Sequence, residues 1–129
     1  MILGIGTDII EVARIQQLFE KFGERFLNRI LLPSETAYCL SHRSPAPYLA
    51  ARFAAKEAIS KAFGTGISTQ LGWLDMEIAR KESGEPFVIL HGSGQNLLET
   101  RSASAVLITL SHTEYYATAT ALLLRHPPV

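Results

Sequence analysis

Apolar positions along the chain recur with two different periods, and the changes of period divide it into elements. Residues 2 to 10 (ILGIGTDII) are Ile-rich and interrupted only by glycines and a Thr7-Asp8 pair, which predicts a buried strand with one polar feature near its end. Ile15, Leu18, Phe19, Phe22 and Phe26 then follow at three- and four-residue spacing, the mark of an amphipathic helix that Gly23 bends or ends. Pro33-Ser34-Glu35 opens a short helix through Leu40, and Ser41 to Pro47, with two prolines and two serines, reads as a loop. Tyr48 to Phe63 is Ala-rich, lacks glycine and proline, and stops at Gly64, which predicts a long helix with a glycine cap. Alternation returns in Trp73 to Ala79, a Ser83-Gly84-Glu85-Pro86 turn follows, and Phe87 to Leu90 completes a hairpin. Ser93 to Thr100 fits a helix, and two alternating runs, Ala105 to Leu110 and Tyr116 to Leu124, meet at a polar turn around Thr113-Glu114. Helices thus mix with mostly antiparallel strands without a βαβ rhythm, so the expected class is α+β.

Neither a repeat nor a long linker divides the 129 residues, so one domain spanning 1–129 is expected. A chain of this size buries about two-thirds of its unfolded surface, and 47% hydrophobic composition supplies the core without staples. The single Cys39 agrees, since one thiol makes no internal bridge and no zinc cluster. Twelve Lys plus Arg balance twelve Asp plus Glu, which excludes a nucleic-acid binder working by general phosphate neutralisation. Without a basic leader or a run of about 20 apolar residues, neither secretion nor a membrane span is implied, and a cytoplasmic protein is expected.

Neutrality hides local sums. Between Arg43 and Lys61 four cations (Arg43, Arg52, Lys56, Lys61) face one anion, Glu57. Glu57 and Lys61 are four residues apart, which also suits an ordinary exposed helix pair worth roughly 0.3–0.5 kcal/mol. On a helix, however, Phe53, Glu57 and Lys61 share a face flanked by Arg52 and Lys56, so a carboxylate sits among phosphate-capable donors. Asp8, closing an apolar strand, needs water, a helix cap role or a cation to offset its desolvation. Two carboxylates amid Lys and Arg suit Mg²⁺, which takes its remaining oxygens from water and substrate phosphates. Zinc is not suited, because His42, His91, His112 and His126 lack ligand spacing. His112, between Ser111 and Thr113, is a candidate for phosphate contact or proton transfer, and Gly64-Thr65-Gly66 is either a helix stop or a weak phosphate loop. Opposite the apolar stripe of the first helix, Arg14, Lys21 and Arg25 fall within about 40° of one another and form a basic stripe.

Three blocks in this order and spacing carry a resemblance: Gly4-Ile5-Gly6-Thr7-Asp8-Ile9, the run from Arg52 to Gly66 (RFAAKEAISKAFGTG), and Leu110-Ser111-His112-Thr113. The sequence resembles the holo-acyl-carrier-protein synthase family, the short bacterial 4′-phosphopantetheinyl transferases, over almost its whole length. The resemblance implies that family's fold, a mostly antiparallel sheet packed with helices, assembled as a homotrimer with active sites between subunits. It implies transfer of the phosphopantetheine arm of coenzyme A to a serine of apo acyl carrier protein, releasing adenosine 3′,5′-bisphosphate in support of fatty-acid biosynthesis. By this likeness Asp8 and Glu57 are the Mg²⁺ ligands and, with Lys61, the catalytic set. Arg52, Lys56, Lys61, Gly64, Thr65, Gly66, His112 and Thr113 are the coenzyme contacts, and Arg14, Lys21 and Arg25 dock the small acidic carrier. For the serine proton, Glu57, a metal-bound water and His112 all stay open. The Ser41–Pro47 loop departs from the pattern, with two prolines and only His42 and Arg43 as basic groups.

Two other classes remain for comparison: a non-catalytic coenzyme A or nucleotide-binding module, which would never release adenosine 3′,5′-bisphosphate, and a metal-dependent phosphatase, which would need no carrier. Two acids retained beside the lysines favour transfer, since phosphate binding alone is better served without buried anions.

Overall fold

The computed structural model of the protein describes residues 1–127. Pro128 and Val129, which end the expected domain and tail, lie outside the described residues. Strand β1 (Ile2–Glu11) leads into helix α1 (Val12–Phe22), followed by α2 (Glu24–Ile30), α3 (Pro33–Leu40) and the long α4 (Ala46–Phe63). Strands β2 (Met76–Arg80) and β3 (Pro86–Leu90) form the expected hairpin. After α5 (Ser93–Thr100), strands β4 (Ala105–His112) and β5 (Tyr116–Leu124) end the fold. The three-stranded sheet runs β1-β5-β4, and every pairing in both sheets is antiparallel, as the α+β expectation required.

Helix α4 is the centre of the molecule, and its sequence says why. Small and apolar residues surround most of its circumference, and thirteen of its eighteen residues are buried, so it is enclosed rather than laid on a surface. Its alanines, among them Ala54, Ala55, Ala58 and Ala62, bring its backbone close to the sheet, where Ala117, Ala119 and Ala121 of β5 are equally small and equally buried. The approach is closest at β1. A Cβ added at Gly4 would stand 2.0 Å from the Ala62 carbonyl oxygen, and one at Gly6 would stand 2.0 Å from that of Ala58. The Gly4-Ile5-Gly6 block therefore serves helix-on-strand contact, and any side chain there would force α4 away from Asp8 at a cost of about 1–3 kcal/mol or more.

The other face of the sheet is different. Ile5, Ile9, Leu107 and Tyr116 are 66%, 67%, 53% and 52% exposed, an apolar surface open to solvent in the single chain.

Four boundaries depart from the periodicity. Gly23 (φ +56°) ends α1 outright, its N–H donating to the Phe19 carbonyl, so the expected helix through Phe26 is two helices. Helix α4 starts at Ala46, two residues early, because Pro47 fits a first helical turn, where no amide partner is needed. Trp73–Asp75 is a 3₁₀ turn rather than strand, since the Asp75 carboxylate accepts the Gly72 N–H at 2.8 Å and curls the chain before β2. Strand β4 continues through Ser111 and His112, which pair with Thr118 and Ala117 of β5.

Candidate functional site

Asp8 lies on the α4 side of β1, opposite Ala119 of β5, and is half-buried. From the last turn of α4, Lys61 reaches back across the glycine contact. Its Nζ donates to the Thr7 carbonyl at 2.9 Å and to Asp8 Oδ1 at 3.1 Å. One turn earlier, Glu57 faces the same cleft, where burial raises its pKa above the ordinary 4.5, the Asp8 charge raises it further and Lys61 partly offsets both. The cleft is about 610 Å³ and is also bordered by Arg14, Phe53 and Tyr116.

The Asp8 charge opposes the ionisation of Glu57, and such a pair is a donor set that a dication relieves. Among the described residues no group of three or more His, Cys, Asp or Glu side chains forms a metal cluster. An ion held here would have two carboxylate ligands and fill its shell with water or phosphate oxygens, the habit of Mg²⁺ and not of structural zinc.

Arg52 is five residues before Glu57, about 140° around the helix, and enters a second pocket. It is only 2% exposed, its guanidinium carbon sits 4.2 Å above the Tyr38 ring, and its Nε has no partner. Arg80 approaches the same ring at 5.2 Å. His42 and His112 line this pocket of about 460 Å³ together with Tyr48 and Ser111. His42 Nδ1 is 2.9 Å from the Tyr38 carbonyl, which only accepts, so that nitrogen carries the proton and Nε2 is left for another group. The imidazole stacks on Tyr48 at 3.5 Å, and the Tyr48 ring meets His112 edge-on at 5.0 Å. Among the described residues neither arginine has a carboxylate partner, and no acidic side chain lines the pocket, so its formal charge is positive.

The residues expected from sequence therefore separate into two places, with α4 between them: it lies across β5, with Asp8 on the β1 side and His112 on the β4 side. Lys56 is in neither, and its expected coenzyme contact is corrected. It is fully enclosed, and its Nζ donates to the Ile30 carbonyl (2.7 Å), Glu35 Oε1 (2.7 Å) and the Trp73 carbonyl (3.1 Å), which leaves no proton for a phosphate. Burial lowers the Lys56 pKa, with Glu35 opposing that shift.

The Gly64-Thr65-Gly66 segment is a helix stop. The Gly64 N–H donates to Lys61, and those of Thr65 and Gly66 donate to the Ser60 carbonyl, so these amides point back into the helix rather than out toward a phosphate. Thr113 holds the β4–β5 turn, its hydroxyl oxygen accepting the Tyr115 and Tyr116 amides at 3.3 and 3.2 Å.

The basic stripe does not lie on one helix, because Gly23 breaks the helix on which its spacing was reckoned. Arg14 borders the Asp8 cleft, while Arg25 borders a neighbouring apolar trough of about 380 Å³ with Phe22, Phe26, Phe53, Trp73 and Arg29. Lys21 lines neither and lies over the Phe22 ring at 5.2 Å. Phe53 belongs to both the cleft and the trough and joins them. The sequence reading missed Tyr38, Tyr48 and Arg80 as pocket residues. The available signal was the four-residue spacing of Tyr48 with Arg52, which puts that pair on one helix face.

An acid cleft and a pocket of basic side chains suit an enzyme that handles phosphate esters, and the comparisons give the family. A model of the 4′-phosphopantetheinyl transferase superfamily matches residues 4–121, and the chain belongs to that superfamily. It is an enzyme of the phosphopantetheinyl transferase class. More particularly, it is 48% identical over 122 residues to the holo-acyl-carrier-protein synthase of Protochlamydia amoebophila (strain UWE25), covering 95% of this chain and 98% of that one. The crystal structure of the synthase from Neisseria meningitidis superposes with a TM-score of 0.91 at 38% identity, over 97% of this chain and 100% of that one. The Helicobacter pylori synthase in complex with coenzyme A gives 0.83 at 31% identity, over 92% and 98%.

Proposed function

We propose that the protein transfers the 4′-phosphopantetheine arm of coenzyme A to a serine of apo acyl carrier protein. The products are holo carrier protein and adenosine 3′,5′-bisphosphate, and the reaction is Mg²⁺-dependent. The serine oxygen bonds to the phosphorus that carries the pantetheine, the bond from that phosphorus to the bridging pyrophosphate oxygen breaks with its electron pair staying on adenosine 3′,5′-bisphosphate, and the serine proton passes to a general base, with Glu57 and His112 the side chains placed to accept it. The observation that carries this reading is the pair Asp8 and Glu57 in one cleft with Lys61 beside them. Mg²⁺ bound there would supply a Lewis acid for the pyrophosphate charge. Asp8 and Glu57 would hold it, and Lys61, oriented by the Thr7 carbonyl, adds a fixed cation at the same edge. Arg52, His42 and His112 supply donors for phosphate oxygens in the second pocket.

Acting on one coenzyme requires both places, and α4 separates them within a chain. Subunits would resolve this by facing the cleft of one copy with the pocket of the next, and a homotrimer closed in this way fits the open apolar sheet face of Ile5, Ile9, Leu107 and Tyr116. The acidic carrier docks over Arg14 and Arg25, above the trough that Phe53 connects to the cleft. On this reading the protein serves fatty-acid and lipid biosynthesis in the cytoplasm. Among the described residues no helix is long and apolar enough to cross a membrane.

The test is an intact-mass measurement of apo carrier protein incubated with the enzyme, coenzyme A and Mg²⁺. One phosphopantetheine added per carrier is expected. Bound coenzyme with no mass gain on a folded carrier would leave a binding module, and adenosine 3′,5′-bisphosphate released without carrier would make it a phosphatase.

A further inference from the structure

Resting on that reading of the trough as the carrier's seat, we propose that Lys56 and Glu35 act as a positioning pair. They hold the trough's walls in place for the carrier and take no part in binding the coenzyme. Charges are seldom enclosed without purpose, since each must be desolvated, and this pair is entirely shielded, both side chains at 0% exposure. What the pair does is legible in its partners. Lys56 Nζ donates to the carbonyl of Ile30, the last residue of α2, and to that of Trp73, the first residue of the 3₁₀ turn. Ile30 and Trp73 are both trough residues. Glu35 Oε1 accepts from Lys56 and from the Leu32 amide at 2.8 Å, and its Oε2 accepts the Ile78 amide at 2.9 Å.

Five backbone segments thus converge on one charge pair: the end of α2, the start of α3, α4, the 3₁₀ turn and β2. Three of them, α2, α4 and the 3₁₀ turn, make the trough, with Phe53 of α4 packed on Trp73 at 4.9 Å between ring centres. Nothing in the pair reaches Asp8, Glu57 or the Arg52 pocket by hydrogen bond or ion pair. Loss of the Lys56 bonds to Ile30 and Trp73 therefore loosens the wall that meets the carrier and breaks no bond to a group that meets the coenzyme.

The experiment measures steady-state constants for both substrates in wild type, in Lys56→Met and in the doubly neutral Glu35→Leu/Lys56→Met. The double variant replaces the pair by apolar groups of similar size, a change buried ion pairs commonly tolerate. The expected result is a KM for carrier protein raised by about tenfold, with the KM for coenzyme A within about twofold of wild type. Emission of Trp73, the only tryptophan, should respond to added carrier in wild type and respond less in the variants. A coenzyme KM that rises instead would make Lys56 a ligand contact and overturn the proposal. Folded variants with an unchanged carrier KM, or failure of both variants to fold, would assign the pair to stability alone and equally overturn it. Wild-type enzyme that modifies no carrier would instead fail the transferase reading itself.

Discussion

The two flanks of α4 differ in one respect that determines their chemistry. On the β1 flank charges of both signs meet, Asp8 and Glu57 with Lys61, and burial together with the Asp8 charge opposes ionisation of Glu57. On the β4 flank Arg52, Arg80, His42 and His112 gather around two tyrosine rings without an acid. Cations alone bind an anion directly, as a guanidinium grips a phosphate. Opposed carboxylates bind an anion only through a metal, and in doing so they gain a Lewis acid. One helix thus separates a place suited to bond making from a place suited to holding.

The largest expected effect distinguishes the flanks by the kinetic constant affected. Asp8→Ala and Glu57→Ala should each lower kcat by about 10³-fold or more, in the range seen when a charge-stabilising group is lost, with melting temperatures close to wild type. Full activity in either would remove the metal assignment. Arg52→Met should act mainly on coenzyme KM, by about 10- to 100-fold, because it removes a charged donor from the holding site. A kcat collapse at unchanged KM would put Arg52 on the wrong side of the comparison.

A smaller effect concerns pH. The folded-state pKa of Glu57 is raised, so between 4.5 and that higher value the native chain keeps a proton that the unfolded chain has released. Without metal, this group's contribution to stability is therefore present below 4.5 and lost as pH rises through the window. Mg²⁺ must displace the same proton, so its affinity should increase with pH there, by up to about tenfold per unit. The Mg²⁺-induced rise in melting temperature, followed against pH, checks this. In Glu57→Gln the pH dependence across that window should disappear.

How much of this was legible beforehand follows from which partners are local. The hairpin, the central helix and strand β5 could be read because their patterns lie within one stretch of chain. Asp8 could be singled out because a carboxylate closing an apolar strand asks for a partner, and Glu57 because it is the one anion among four cations. Lys56 could not be placed, since the carbonyls that capture it come from Ile30 and Trp73, 26 and 17 residues away. Helical angles showed Arg52 and Lys56 side by side on one face. They could not show that one side chain enters a pocket and the other a sealed interior. The angle of the basic stripe could not be read for the opposite reason: Gly23 adopts φ +56°, and one residue in that conformation is enough to reset the angle of every side chain beyond it.

That the two flanks serve a single reaction across subunits is the central claim, and mixed assemblies test it most directly. Asp8→Ala chains keep an intact pocket, and Arg52→Met chains keep an intact cleft. Under limiting coenzyme A each variant alone should be nearly inactive, whereas trimers co-assembled from equal amounts should recover about a quarter of wild-type sites, the share in which an intact cleft faces an intact pocket. Activity in the mixture no greater than the mean of the two separate variants would contradict a site shared between copies.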